Sequence, residues 1–233
     1  MTDRLEDLRR FYALMDELER RVGGKRILAE CHGRLSWPER GVYFFFEEGE
    51  DRSGSGRGPR VVRVGTHALK AGSGTTLWKR LSQHRGQARS GGGNHRGSIF
   101  RLIVGTALMA RDGHVSPNWD NRHSSASREV RGAELTMERA VSVVIGAMPF
   151  LWLPVEDDAG PQSGRGIIER GSIALLSDWG KEPIDPPSDR WLGHHCNRPR
   201  VRGSGLWNSN HVDESYEVSY LDALERYIQN AGA

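Results

Sequence analysis

A chain of 233 residues with 36% hydrophobic and 27% charged residues has the composition of an ordinary soluble globular protein, long enough for one large domain or one domain with additions. No apolar run is long enough to span a bilayer, and the charged stretch Met1–Arg10 lacks the apolar core of a secretory signal. A cytoplasmic protein without a membrane partner is therefore expected. The two cysteines, Cys31 and Cys196, are too few and too far apart in sequence for a disulfide framework and read as reduced thiols. The net charge of +3 hides an asymmetry: residues 60–131 carry thirteen Lys/Arg against three acids, a local excess of +10, so the remainder is −7. Such a basic segment, built mainly from arginine, suits a polyanion; arginine on any solvated face gives the same count.

In chain order, residues 3–22 place Leu5, Leu8, Phe11, Tyr12, Met15, Leu18 and Val22 at helical spacing, and Gly23-Gly24 stops the pattern. This helix is suited either to packing on the main body or to forming a dimer element. Residues 42–47 (Val-Tyr-Phe-Phe-Phe-Glu) read as a strand, 48–60 as a Gly/Ser/Arg/Glu-rich loop, and 61–65 (Val-Val-Arg-Val-Gly) as a second strand ending in a turn. Together they predict an antiparallel hairpin. Thr75–His84 reads as a helix with Leu77, Trp78 and Leu81 on its apolar side, and Gly91-Gly92-Gly93 breaks the chain. Residues 98–107 predict a third strand, 111–132 a polar insertion, and 148–155 an apolar extended segment. Gly166–Trp179 reads as a helix and 219–229 as a short last helix. The fold class expected is α/β (α+β): a small central antiparallel three-stranded sheet flanked by helices. Residues 1–36 form an N-terminal helical extension, 37–212 the main domain and 213–233 a C-terminal helix. Long insertions at 48–60 and 107–165 are expected to set substrate choice.

Five short motifs carry chemistry in a fixed order: Gly41-Val42-Tyr43, Arg63-Val64-Gly65, Leu77-Trp78-Lys79-Arg80-Leu81-Ser82-Gln83-His84, Ile168-Glu169-Arg170 and Leu206-Trp207-Asn208. This order resembles the GIY-YIG nuclease superfamily over roughly residues 37–212. The later motifs are most similar to its restriction-enzyme branch. The resemblance implies a divalent-metal-dependent DNA endonuclease, with Mg²⁺ or Mn²⁺ as cofactor and DNA as partner. A palindromic target would imply a symmetric homodimer. One departure stands out: Arg63 occupies the place of the second motif's tyrosine. Arginine stays protonated and cannot act as a base, so at that place it can only orient or neutralise phosphate.

Cutting a phosphodiester requires deprotonating water, neutralising the transition state and stabilising the leaving oxygen. The resemblance assigns Tyr43 as the base, with His67 or His84 as helpers. Arg80 becomes the phosphate clamp and Glu169 the metal ligand through oxygen. His84, one turn from Arg80, either contacts phosphate or orients the water or Tyr43. Asn208 bonds either backbone or phosphate. His67, Lys79, Arg85 and Arg96 are further candidate DNA contacts, and Glu134 and Glu138 are alternatives to Glu169. The cluster His194-His195-Cys196 with His211 invites a zinc reading, although its spacing matches no standard zinc motif. Two rivals to a restriction-type nuclease remain open: a catalytically silent nucleic-acid-binding module, which Arg63 motivates, and a structure-specific repair nuclease on the same scaffold.

Overall fold

The aromatic run Val42–Phe46 lies in a strand, β2, that extends from Gly41 to Asp51. In the computed structural model, which describes residues 4–120, 126–160 and 162–231, β2 pairs antiparallel with β3 (Pro59–Gly65) on one side and β4 (Pro149–Pro154) on the other. The two-residue β1 (Arg26–Ile27) joins the far edge of β4, giving the order β1-β4-β2-β3. Alternate residues of a strand face opposite sides. Val42, Phe44 and Phe46 therefore enter one core, and Tyr43 and Phe45 the other. Burial on both faces is why this strand reads as an unbroken apolar run.

Helices cover both faces. The Phe44 side packs against α1 (Arg4–Val22), α5 (Gly164–Leu176) and α6 (Ser219–Asn230). The Tyr43 side packs against α2 (Leu77–Arg85), α3 (Ile99–Asp112) and α4 (Arg128–Ala147). The helical spacing seen in residues 3–22 buries Leu8, Phe11, Tyr12, Met15 and Leu18. The Tyr12 hydroxyl accepts the Val61 N–H at 3.2 Å, tying α1 to β3.

The α/β class holds, but the sheet has four strands and the expected third strand is a helix. Residues 99–112 form α3, not a strand. Phe100 through Met109 are all buried, so the segment has no polar face to reveal its period. Its start is set by Ser98, whose Oγ accepts the Arg101 N–H at 3.3 Å, and its end by Gly113 in the left-handed region. The sheet is completed instead by residues 149–154 and 26–27. The span 107–165, expected as inserted loop, contains α4 as well as β4. Part of the polar insertion, residues 121–125, lies outside the described residues.

Two local features position the site. Phe45 pairs with Arg63 but Phe46 pairs with Val61, so Val62 is an extra residue in β3, a bulge. The bulge puts Val62 and Arg63 on the same side of the sheet as Tyr43. Second, a buried ion network ties α2, α3 and α4 together. Arg101 meets Glu138 Oε2 through Nε at 2.9 Å and Nη2 at 2.5 Å, and its Nη1 donates to the His84 carbonyl at 2.8 Å. Glu138 Oε1 accepts the His95 backbone N–H at 2.6 Å. Removing one partner of such a pair strands a buried charge at a cost of about 3–5 kcal/mol. Glu138→Ala is therefore expected to lower unfolding stability by about that amount, read from urea denaturation. The Arg101→Met/Glu138→Met double variant should regain most of the loss. An unchanged midpoint in Glu138→Ala would show that the network does not hold these helices.

Candidate active site

A cleft of about 240 Å³ opens where β2 and β3 meet α2, α3, α5 and the segment 208–211. Its polar walls include Tyr43, Arg63, Thr66, Arg80, Glu169 and Asn208. Tyr43 pairs across the sheet with Gly65. A Cβ at Gly65 would lie 2.4 Å from the Tyr43 oxygen, so only glycine leaves room for the hydroxyl. That hydroxyl is 2.8 Å from His84 Nε2, and His84 Nδ1 is 2.8 Å from Ser98 Oγ. A hydrogen-bonded chain thus runs from the cleft to the start of α3.

The bulge aims Arg63 into the same place. Its guanidinium lies over the Phe100 ring, 4.5 Å from the centroid, and Nη1 donates to the Trp207 carbonyl. On α2, capped by Thr76 Oγ1, Arg80 and His84 are one turn apart. His84 is fully buried, whereas Arg80 reaches the cleft and donates to the Gly97 carbonyl at 3.2 Å and Gln83 Oε1 at 3.1 Å. Glu169 sits on α5, capped by Ser163, and its Oε1 accepts the Thr66 N–H at 3.1 Å. Asn208 pairs with backbone: its Nδ2 donates to the Val64 carbonyl at 2.9 Å and its Oδ1 accepts the Val64 N–H at 3.2 Å. With Trp207 N–H donating to the Val62 carbonyl at 2.7 Å, this segment closes the open edge of β3.

Burial sets the ionisation of the cleft. It holds His84 well below its ordinary value, and repulsion from Arg80, Arg63 and Arg101 acts the same way. His84 is therefore a neutral ring with one N–H. If Ser98 donates to Nδ1, the Nε2–H points at the Tyr43 oxygen; with the polarity reversed, Nε2 accepts the phenol proton. Burial lowers Arg63 and Arg80 adds to that, while Tyr43 and Glu169 oppose it. Burial raises Glu169, and its neighbours His211, Thr66 N–H, Arg63 and Arg80 offset this only in part. A half-buried carboxylate whose ionised form is under-compensated, with oxygen as donor, fits a divalent cation.

A family model described as GIY-YIG domain matches residues 2–233. The chain belongs to the GIY-YIG family. This is a nuclease-type family, for which the substrate is DNA and divalent metal is the general cofactor. No curated protein and no solved structure matches the chain. Among the described residues, no helix is long and apolar enough to cross a membrane.

Of the residues singled out in the sequence, Tyr43, Arg63, Arg80, Glu169 and Asn208 line one cleft, and His84 lies directly behind Tyr43. The further candidate DNA contacts do not join them. Arg96 is buried and donates two hydrogen bonds to the Glu134 carboxylate, from Nη1 at 2.6 Å and Nη2 at 2.7 Å. Arg85 donates to the Cys31 carbonyl and lies over Trp78. Lys79 is exposed beside the Gly74 carbonyl. His67 is buried, with Nδ1 2.8 Å from the Thr75 carbonyl and Nε2 without a partner. Glu134 and Glu138 are spent on Arg96 and Arg101, which removes them as metal candidates. The zinc reading also fails: among the described residues no group of three or more His, Cys, Asp or Glu side chains could hold a metal. Cys31 and Cys196 are free and buried.

Sequence reasoning missed Ser98, which looked like part of a strand, and Thr66, whose contribution is a backbone N–H. It also missed the broad basin lined by Asn197, Arg198 and Arg200, which adjoins the cleft at Ser209. The basic excess of residues 60–131 proved a poor guide to the surface. Arg60, Arg96 and Arg101 are buried against Glu50, Glu134 and Glu138.

Burial lowers His67 from 6.5 to about 4, against the opposing bond to Thr75. Its folded value is depressed, so the unfolded chain binds the proton first. Stability is full above pH 6.5 and is lost as pH falls toward about 4. His84 adds to the loss in the same direction. The urea midpoint should therefore drop across this window, and His67→Gln should flatten the drop. A midpoint in the wild-type chain that does not change from pH 6.5 to pH 4 would contradict the buried neutral histidines.

Proposed function

We propose that the chain is a divalent-metal-dependent DNA endonuclease. The observation that carries this reading is convergence: Tyr43 from β2, Arg80 from α2 and Glu169 from α5 line one cleft, with the Tyr43 hydroxyl bonded to a neutral His84. Tyr43, as the phenolate, takes the proton of the attacking water and returns to the phenol. The neutral His84 ring orients that oxygen by donating its Nε2–H, and the Arg63 cation beside it balances the negative charge. Arg80 clamps the scissile phosphate and stabilises its transition-state charge. Glu169 would hold Mg²⁺ or Mn²⁺, which supplies Lewis-acid stabilisation of the leaving oxygen when bound. Asn208 positions rather than reacts, because it locks the Arg63-bearing strand to the segment 206–208. The adjoining basin with Arg198 and Arg200 suits flanking phosphates of a longer strand.

Restriction-type cutting is the finer reading we favour, on the strength of the Leu206-Trp207-Asn208 segment. A catalytically silent binding module is the alternative that Arg63 supports.

The test is incubation of the purified chain with supercoiled plasmid and with branched DNA in Mg²⁺, Mn²⁺ or EDTA. Cleavage should vanish in EDTA and in Glu169→Gln. Tyr43→Phe and Arg80→Ala should each lose on the order of 100-fold or more in rate while still binding DNA. Discrete plasmid fragments support restriction, and preference for the branch supports a structure-specific enzyme. Salt-sensitive binding without cleavage identifies the silent module, and wild-type cutting by Glu169→Gln removes the site assignment.

A further inference from the structure

We propose that His211 is a second protein ligand for the cation held by Glu169, and that this pair turns the site toward Mn²⁺ and similar nitrogen-accepting ions over Mg²⁺. The proposal rests on the metal-dependent reading above and adds to it a specific donor set.

Three geometric observations meet at His211. It lines the same cleft as Glu169 and Asn208. Its backbone is left-handed, with φ 63°, a conformation that among the described non-glycine residues only Ala68 shares. A non-glycine residue is uncommon in that region, though histidine enters it more readily than most, and residues held in sparsely populated backbone regions cluster at functional sites. Third, His211 Nδ1 is 2.7 Å from Glu214 Oε1. With Nδ1–H donating to that carboxylate, Nε2 is left with its lone pair. A carboxylate bonded to one ring nitrogen is the usual device for orienting a histidine that ligates metal through the other.

The segment is also held from both ends. Asn208 is bonded to Val64, and the buried Val212 accepts the Ser177 hydroxyl through its carbonyl at 2.7 Å. His211 is thus fixed at the cleft that Glu169 also lines. Of the residues grouped with it in the zinc reading, His194 and Cys196 are engaged elsewhere. His194 Nε2 lies 2.9 Å from the Ser188 carbonyl, and Cys196 Sγ lies 3.6 Å from Thr106 Oγ1. One carboxylate and one imidazole leave the remaining positions to water and phosphate oxygens. Mg²⁺ prefers an all-oxygen shell, whereas imidazole suits the transition ions.

The experiment uses the full chain with Mn²⁺ alone, without DNA, read by electron spin-echo spectroscopy and by Mn²⁺ and Mg²⁺ titration. The wild-type chain should show nitrogen modulation from a directly bound imidazole. His211→Asn, which keeps a residue tolerant of the left-handed backbone, should lose that signal and bind Mn²⁺ about tenfold or more weakly, with little change for Mg²⁺. His211→Gly removes both side chain and strain and should behave the same way. Glu169→Gln should lose the ion. If Glu169→Gln weakens binding but the wild-type chain shows no nitrogen signal, or both His211 variants keep wild-type Mn²⁺ affinity, the second ligand is overturned and the nuclease reading stands. If the wild-type chain binds no Mn²⁺, or Glu169→Gln binds it unchanged, the metal site itself is overturned.

Discussion

The hydrogen bond between Tyr43 and His84 joins the sheet to the helices behind it, and much of the surrounding structure exists to satisfy it. A phenol and an imidazole are both costly to bury without partners. Ser98 completes the imidazole and at the same time starts α3 by capping Arg101. The Arg101 side chain then returns to the His84 carbonyl and to Glu138, which holds α4. The bonds that make the interior satisfiable are therefore the bonds that aim a hydroxyl into the cleft. The zero-side-chain position opposite Tyr43, Gly65, is the steric half of the same arrangement.

Charge is distributed around this bond with a consistent sign. Arg63, Arg80 and Arg101 surround a ring that burial keeps neutral, so the positive charge lies on groups that cannot give up a proton. A phosphate entering the cleft would meet these fixed cations. Glu169 is the counterweight: burial opposes its charge, and its neighbours compensate only in part. Arg63, in place of a motif tyrosine, thus helps to set the Tyr43 oxygen between a neutral ring and a cation.

The hairpin, the α2 helix and the Glu169 helix were legible because turns, caps and apolar spacing agreed there. The grouping of Tyr43, Arg80 and Glu169, which line one cleft, was legible through motif order. α3 was not, because a helix buried on all sides shows no period. α4 was hidden for a different reason: Glu134 and Glu138 occupy core-facing positions, and acids in an apolar stripe disguise it until their arginine partners are known. Those same remote partners explain why Arg96 looked available to DNA. The bulge at Val62, which decides where Arg63 points, depends on register with a second strand. His211 carried the wrong grouping in the sequence, since its neighbours in space are Glu169 and Glu214.

The central claim is that Arg63 is a working member of a catalytic cleft rather than the mark of a lost activity. Single-turnover cleavage of DNA by Arg63→Met and Arg63→Lys, with DNA affinity measured in parallel, tests it most directly. The account predicts that Arg63→Met slows cleavage about 100-fold or more at nearly unchanged affinity, and that Arg63→Lys recovers part of the rate. Cleavage by Arg63→Met at the wild-type rate would contradict it.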